Sequence, residues 1–287
     1  MTDFIDFSSV PQTPALAKTA PHLSNYRRVY RASEDAVERK PVSDDSLQDY
    51  LNMYEQLGAR HVVVKGKDIE TTFGHRITNE DVASFCKKHG PRYIGFAGVD
   101  PFKGMQALRE LEYAVKELGL RGLNIQGFEN KIYINDPRMY PLYAKCIELD
   151  IPINLHTSMN FSTATAMDYG RPQLLDEVMV HFPELRVCAS PPGFPWIHEL
   201  IGVAWRHPNV SIGLVAVRPK YLTVEHSGYE PLLQYGNSVL QDRIIFGSSY
   251  PVQPVGRCVE EIEALPLKDN VKRKWLHDNA ARFLGLS

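Results

Sequence analysis

The feature that most constrains this chain is a repeated alternation, from one end to the other, of short apolar runs and segments with helical spacing. Phe4-Ile5-Asp6-Phe7 opens it. Residues 61–65, 93–99, 122–126, 151–158, 185–190, 210–215 and 243–248 follow, eight strands in all. Helices are predicted between them over residues 44–57, 79–89, 105–118, 137–149, 176–181, 196–207 and 229–240. Two more, near 259–265 and 270–284, close the chain. Parallel strands need a crossover of a dozen or so residues, and helices supply it. Strict βα alternation over 287 residues favours a closed (β/α)8 TIM barrel over an open doubly wound sheet. No shift of composition marks a boundary, so residues 1–287 read as a single domain. One stretch breaks the rhythm. Residues 11–43, with Arg27, Arg28, Arg31, Arg39 and Lys40, are too long for a plain βα connection and read as a lid or an interface arm, which makes a homodimer the expected assembly.

Composition excludes several classes of function. A net charge of −2 argues against nucleic acid or an anionic membrane as partner. No Gly-x-Gly-x-x-Gly follows the first strand and no Gly-Lys-Ser/Thr occurs, so nucleotide binding has little support. Four dispersed cysteines without a CxxC pair suggest reduced thiols. With no signal peptide and no apolar run near the roughly 20 residues a membrane span needs, the expected compartment is the cytoplasm.

In a barrel of this kind the chemistry lies at the C-terminal ends of the strands. Those ends carry Asp6, Ser8, Lys65, Lys67, Asp100, Asn124, Gln126, Asn154, His156, Ser190, Arg218, Ser248, Ser249 and Tyr250. The run Ile151-Pro152-Ile153-Asn154-Leu155-His156-Thr157-Ser158 sets three apolar side chains on one face and Asn154, His156 and Ser158 on the other. His156 is either a hydrogen-bonded core histidine or an active-site group that moves a proton or polarises a carbonyl. Ser249 and Lys65 are the other catalytic candidates, Lys65 as a Schiff-base lysine if burial lowers its pKa. Arg218, Lys67, Asn154, Gln126, Ser190, Tyr250 and Trp196 are the candidate substrate contacts, the cations for an acidic group. Lys65 and Arg218 read equally well as structural ion-pair members. Phe73, Phe128, Phe161, Phe194, Trp196, Tyr221 and Tyr250 suit a flat ring substrate. A hydrolytic metal needs about three protein ligands. Of ten histidines only His156 ends a strand, and neither HxH nor HExxH occurs, so no metal or other cofactor is expected, a rearranged set such as Asp6, His156 and Asp100 being the alternative.

Several segments carry a resemblance: Asp68-Ile69-Glu70-Thr71-Thr72-Phe73-Gly74, Phe96-Ala97-Gly98-Val99-Asp100-Pro101, Leu118-Gly119-Leu120-Arg121-Gly122-Leu123-Asn124, Tyr140-Pro141-Leu142-Tyr143-Ala144-Lys145-Cys146, Ile153-Asn154-Leu155-His156-Thr157-Ser158, Ala216-Val217-Arg218-Pro219-Lys220-Tyr221 and Phe246-Gly247-Ser248-Ser249-Tyr250-Pro251. With these the chain resembles, nearly end to end, the amidohydrolase-related family of metal-dependent TIM-barrel hydrolases and decarboxylases. The resemblance implies barrel and pocket. It also implies a metal set that this chain departs from: Ser8 and Val10 stand where members place His-x-His or Glu-x-His, Pro191 where they place His, and Ser249 where they place Asp. His156 alone remains. The resulting expectation is an enzyme working without a divalent metal on a small cyclic or aromatic carboxylic acid, by hydrolysis of a lactone or C–C bond or by decarboxylation. The alternative is a catalytically silent ligand-binding or partner subunit.

Overall fold

A computed structural model describes residues 3–31 and 41–286. The β-branched and aromatic runs form eight parallel barrel strands in the order β1 (Phe4–Ser9), β2 (Ala59–Lys65), β5 (Tyr93–Gly98), β6 (Leu123–Ile125), β7 (Ile153–Leu155), β8 (Val187–Ala189), β9 (Val210–Val215) and β10 (Ile244–Gly247). The ring closes where β10 meets β1: Ser249 N donates to Ser8 O at 2.7 Å, and Val10 N to Tyr250 O at 2.9 Å. The remaining two strands, β3 (Lys67–Ile69) and β4 (His75–Ile77), form a small antiparallel hairpin beyond the end of β2. No strand is predicted between residues 65 and 79, because a three-residue strand is too short to show alternation.

Two cores follow from strand alternation. Side chains pointing outward meet the ring of helices, while Ile5, Phe7, Val63, Ile94, Phe96, Cys188 and Ile245 point inward and fill the barrel. Ala280, Phe283 and Leu284 of the last helix join this inner cluster. Arg121 and Arg186, at the starts of β6 and β8, donate to carbonyls of Leu284 and Phe283, so the chain end plugs the N-terminal mouth. The opposite mouth is left to the loops.

Of the stretch 11–43, the described part folds back over its own barrel. It forms a turn at Pro21–Leu23 and a helix at Ser24–Arg31, and a helix over Asp44–Gln56 follows, capped by Ser43. Arg39 and Lys40 lie outside the described residues. No helix among the described residues is long and apolar enough to cross a membrane.

Candidate active site

A cavity of about 610 Å³ opens at the C-terminal mouth of the barrel. Its polar lining is drawn from strand ends, because each strand stops where its last inward side chain clears the packed interior. Lys65 (β2), Gln126 (after β6), Asn154 and His156 (at β7), Ser190 (after β8), Arg218 (after β9) and Ser249 (after β10) all face it. The register brings together seven of the ten candidate residues. Lys67, Tyr250 and Trp196 are not among the lining residues. Lys67 turns to a buried acid, Tyr250 packs on Tyr50 with centroids 5.7 Å apart, and Trp196 sits under the Arg171 guanidinium at 5.7 Å.

The polar groups at the mouth divide by whether they are already satisfied. Ser190 Oγ donates to Asn154 Oδ1 at 2.7 Å, Asn154 Nδ2 to Asn124 Oδ1 at 2.9 Å, and Asn124 Nδ2 to Gly66 O at 3.0 Å. That chain of dipoles ties β8, β7, β6 and the end of β2 together and leaves Asn154 committed to the scaffold. Arg218 is gripped by Glu261 through both Nε, at 3.1 Å, and Nη2. Its charge is balanced before any substrate arrives. Ser249 holds a left-handed backbone (φ 54°) and its hydroxyl lies 3.2 Å from that of Ser8. Asp6, fully buried, accepts from Ser8 N (3.1 Å), Ser248 N (2.8 Å), Tyr54 Oη (2.6 Å) and Ser248 Oγ (2.5 Å). Burial pushes its pKa up against those hydrogen bonds.

Three cavity groups are different. Lys65 has no hydrogen-bond or ion-pair partner among the described residues; its ammonium rests 4.6 Å above the Phe7 ring. Desolvation by the apolar barrel interior lowers its pKa to about 8, Cys188 and Asp6 pulling weakly the other way. Depth removes Lys65 from bulk water, yet its side chain borders the cavity and is open to a ligand there. Gln126 likewise has no partner for its amide among the described residues. His156 stands beside Phe128, ring centroids 4.6 Å apart. Its Nδ1 is buried without a partner against Gly170, where a Cβ would lie 3.0 Å from Nδ1 and only 1.9 Å from Ser158 O. Only glycine lets the ring and that carbonyl come so close. Burial lowers the His156 pKa to about 4, the Glu129 charge opposing and the Lys67 charge reinforcing the shift, so at pH 7 the ring is neutral.

The roof is aromatic. Tyr26 and Tyr30 of the Ser24–Arg31 helix, with Phe128, Phe161, Phe194, Tyr221 and Tyr229, line the cavity. Tyr26 meets Phe161 edge-on at 5.5 Å, and Phe194 stacks on Tyr229 at 5.3 Å. What holds the roof down was not expected from the sequence. His22 Nε2 donates to buried Glu129 Oε1 at 2.9 Å, His22 stacks on Phe73 at 3.8 Å, and Lys67 Nζ sits 2.6 Å from Glu129 Oε2. Burial alone would raise the Glu129 pKa; the Lys67 charge and the His22 and Lys67 hydrogen bonds outweigh it and leave the carboxyl below its ordinary range. The one sequence signal for this latch was the unusual length of the stretch that carries His22.

The amidohydrolase family profile matches residues 20–286. The chain belongs to the amidohydrolase family. It is 24% identical over 254 residues to a gamma-resorcylate decarboxylase of Rhodococcus jostii, covering 74% of this chain and 76% of that one. Among solved structures, a TIM-barrel protein from Bordetella bronchiseptica superposes with a TM-score of 0.82 at 27% identity, covering 99% of this chain and 98% of that one. A 5-carboxyvanillate decarboxylase from Novosphingobium aromaticivorans superposes with a TM-score of 0.67 at 16% identity, covering 100% and 96%.

That last structure holds manganese together with 4-hydroxy-3-methoxy-5-nitrobenzoic acid. It corrects the expectation, drawn from the sequence, that no cofactor takes part: the family points to a divalent metal. The residues of this chain fit such an ion poorly. Among the described residues no three His, Cys, Asp or Glu side chains are placed to hold a metal ion, and His156 is the one such side chain lining the cavity. Manganese favours oxygen and imidazole donors in a set. Asp6 directs both its oxygens at scaffold donors, and Asp100 caps Phe102 N and Thr71 N at 3.0 Å each.

Proposed function

We propose that this protein is a carbon–carbon lyase that removes CO2 from a small aromatic carboxylic acid. The observation that carries the reading is the pairing, in one cavity, of an aromatic roof with an uncommitted cation at the base. A flat ring fits between the Tyr26–Phe161–Phe128 wall and the Phe194–Tyr229 pair. Its carboxylate meets Lys65, with Gln126 and neutral His156 as hydrogen-bonding groups. Lys65 supplies the charge because Arg218 is already balanced by Glu261. Carboxylate desolvated among apolar walls is raised in free energy relative to uncharged CO2, which favours loss of CO2 once the ring carbon accepts a proton. The Lys65 ammonium, with a pKa of about 8, is the cavity group suited to deliver that proton at neutral pH. Lys65 and His156 are thus proposed as the reacting and carboxylate-holding residues, Gln126 as a substrate contact, and Ser249, Ser190, Asn154 and Arg218 as the frame that shapes the base. The curated relative and the manganese-bound structure, both decarboxylases of aromatic acids by name, support the reaction type.

The test is release of CO2 from gamma-resorcylate, 5-carboxyvanillate and a panel of hydroxybenzoates, with manganese supplied in the assay. Turnover of at least one acid, with loss of the carboxylated ring spectrum, is the expected result. Binding of these acids without CO2 release from any would favour instead the ligand-binding alternative.

A further inference from the structure

Lys65 is placed in a way that salt-bridge lysines are not. Lys67, two residues on, is neutralised by Glu129, and Arg218 by Glu261. Among the described residues no carboxylate lines the cavity that Lys65 faces. The titratable groups acting on it from other strands are Asp6 of the adjacent β1 and Cys188 of β8, which lies across the barrel, and neither is bonded to it. Beneath it lies the Phe7 ring, and above it about 610 Å³ of cavity. An amine with no counter-ion, on an apolar floor and open to a ligand, meets the structural requirement for a lysine nucleophile.

We propose that Lys65 condenses with the carbonyl group of a small β-oxo acid to form a Schiff base, so that the cavity accepts oxo acids as well as, or in place of, purely aromatic acids. The step balances without any further reactant. The Nζ lone pair attacks the carbonyl carbon, the C=O π pair moves to oxygen and takes up the proton that nitrogen loses. The carbinolamine then expels that oxygen, with one more proton, as water while nitrogen forms the C=N bond. The resulting iminium lies β to the carboxylate and accepts the electron pair of the breaking C–CO2 bond. CO2 leaves, the enamine is protonated at carbon, and water hydrolyses the imine to return the free amine. The loss of CO2 rests on the decarboxylase reading above; formation of the Schiff base does not.

Burial makes the reaction selective. With a pKa near 8 instead of the ordinary 10.5, the free-amine fraction at pH 7 is on the order of a hundredfold above that of an amine at the ordinary value; Lys88, exposed on its helix, serves as the surface comparison. The experiment treats the full chain with acetoacetate and sodium borohydride at pH 7, followed by intact mass and peptide mapping. Expected is one borohydride-dependent adduct per chain, on Lys65, forming at least tenfold faster than any adduct on Lys88 and absent from Lys65→Arg and Lys65→Met. Adduct spread over surface lysines in the wild-type chain, or no adduct at all, overturns the proposal whether or not the variants fold. CO2 release from gamma-resorcylate, measured in parallel, separates the two readings. Trapping that fails while that acid is turned over removes the Schiff base and keeps the decarboxylase. Trapping on Lys65 while neither gamma-resorcylate nor any other acid of the panel is turned over keeps the Schiff base and removes the aromatic substrate.

Discussion

Lys65 and Lys67 are two residues apart in the sequence and opposite in physical state. Lys67 points at Glu129, a fully buried carboxylate that also receives His22 from the stretch roofing the cavity. Every charge in that group has a partner, and the group fastens β3, the Gly127–Asn130 turn and the roof to one another. Lys65 points into the barrel mouth with an aromatic ring below it and, among the described residues, no acid bonded to it. Paired charges hold a structure together at little cost to reactivity they do not have. An unpaired buried charge is destabilising and chemically available, and such groups cluster at functional sites.

The contrast breaks most visibly at Glu129. Glu129→Ala leaves Lys67 and His22 without their shared acceptor and is expected to destabilise by about 3–5 kcal/mol, read as a lower urea midpoint at unchanged slope. An effect below about 1 kcal/mol would mean that water already satisfies the group. Lys65→Met is expected to do the reverse. Turnover falls by about a hundredfold or more in kcat/KM, about 2.7 kcal/mol of transition-state stabilisation. Equilibrium stability rises by about 1 kcal/mol, because an unpartnered charge leaves an apolar site. A variant that loses stability and keeps activity would refute the comparison.

A pH series sharpens it. The folded-state pKa of Lys65, about 8, lies below the ordinary 10.5, so the folded chain binds fewer protons between those values. The destabilisation due to Lys65 is therefore present in full below pH 8 and fades as pH rises to 10.5. The stability gap between Lys65→Met and wild type should narrow across that window, by denaturant titration at each pH. A constant gap would show that the amine is not desolvated. The smallest expected effect is at Gln126, whose amide has no scaffold role: Gln126→Ala should raise KM by about three- to tenfold with kcat and stability little changed.

The alternation of apolar runs made the barrel legible, since every strand predicted from residues 61 to 248 recurs with its boundary within a few residues. Strand ends also named most of the polar side chains other than tyrosines that line the cavity, because in a barrel the last inward residue of each strand has one place to go. Roles were less legible. Arg218 looks like a substrate clamp in sequence, and it is held by Glu261, 43 positions away. Tyr250 and Trp196, read as ring contacts, pack outside the cavity, and Tyr26 and Tyr229 take that part instead. Glu129 gave no sign of itself, since its burial depends on His22 arriving from 107 positions away. The metal expectation came from counting ligands in one sequence, and a relative bound to manganese overturned it.

By itself, then, the sequence determined the barrel, the end at which its cavity opens and most of the polar residues that reach it. These depend on local periodicity and on the fixed geometry of parallel strands, both written in neighbouring residues. Only the tertiary structure decided which of those polar residues are satisfied. Whether a charge such as that of Lys65 is free or, like that of Lys67, is held depends on partners far away in sequence, and a buried charge acquires its meaning from what stands within a few ångströms of it.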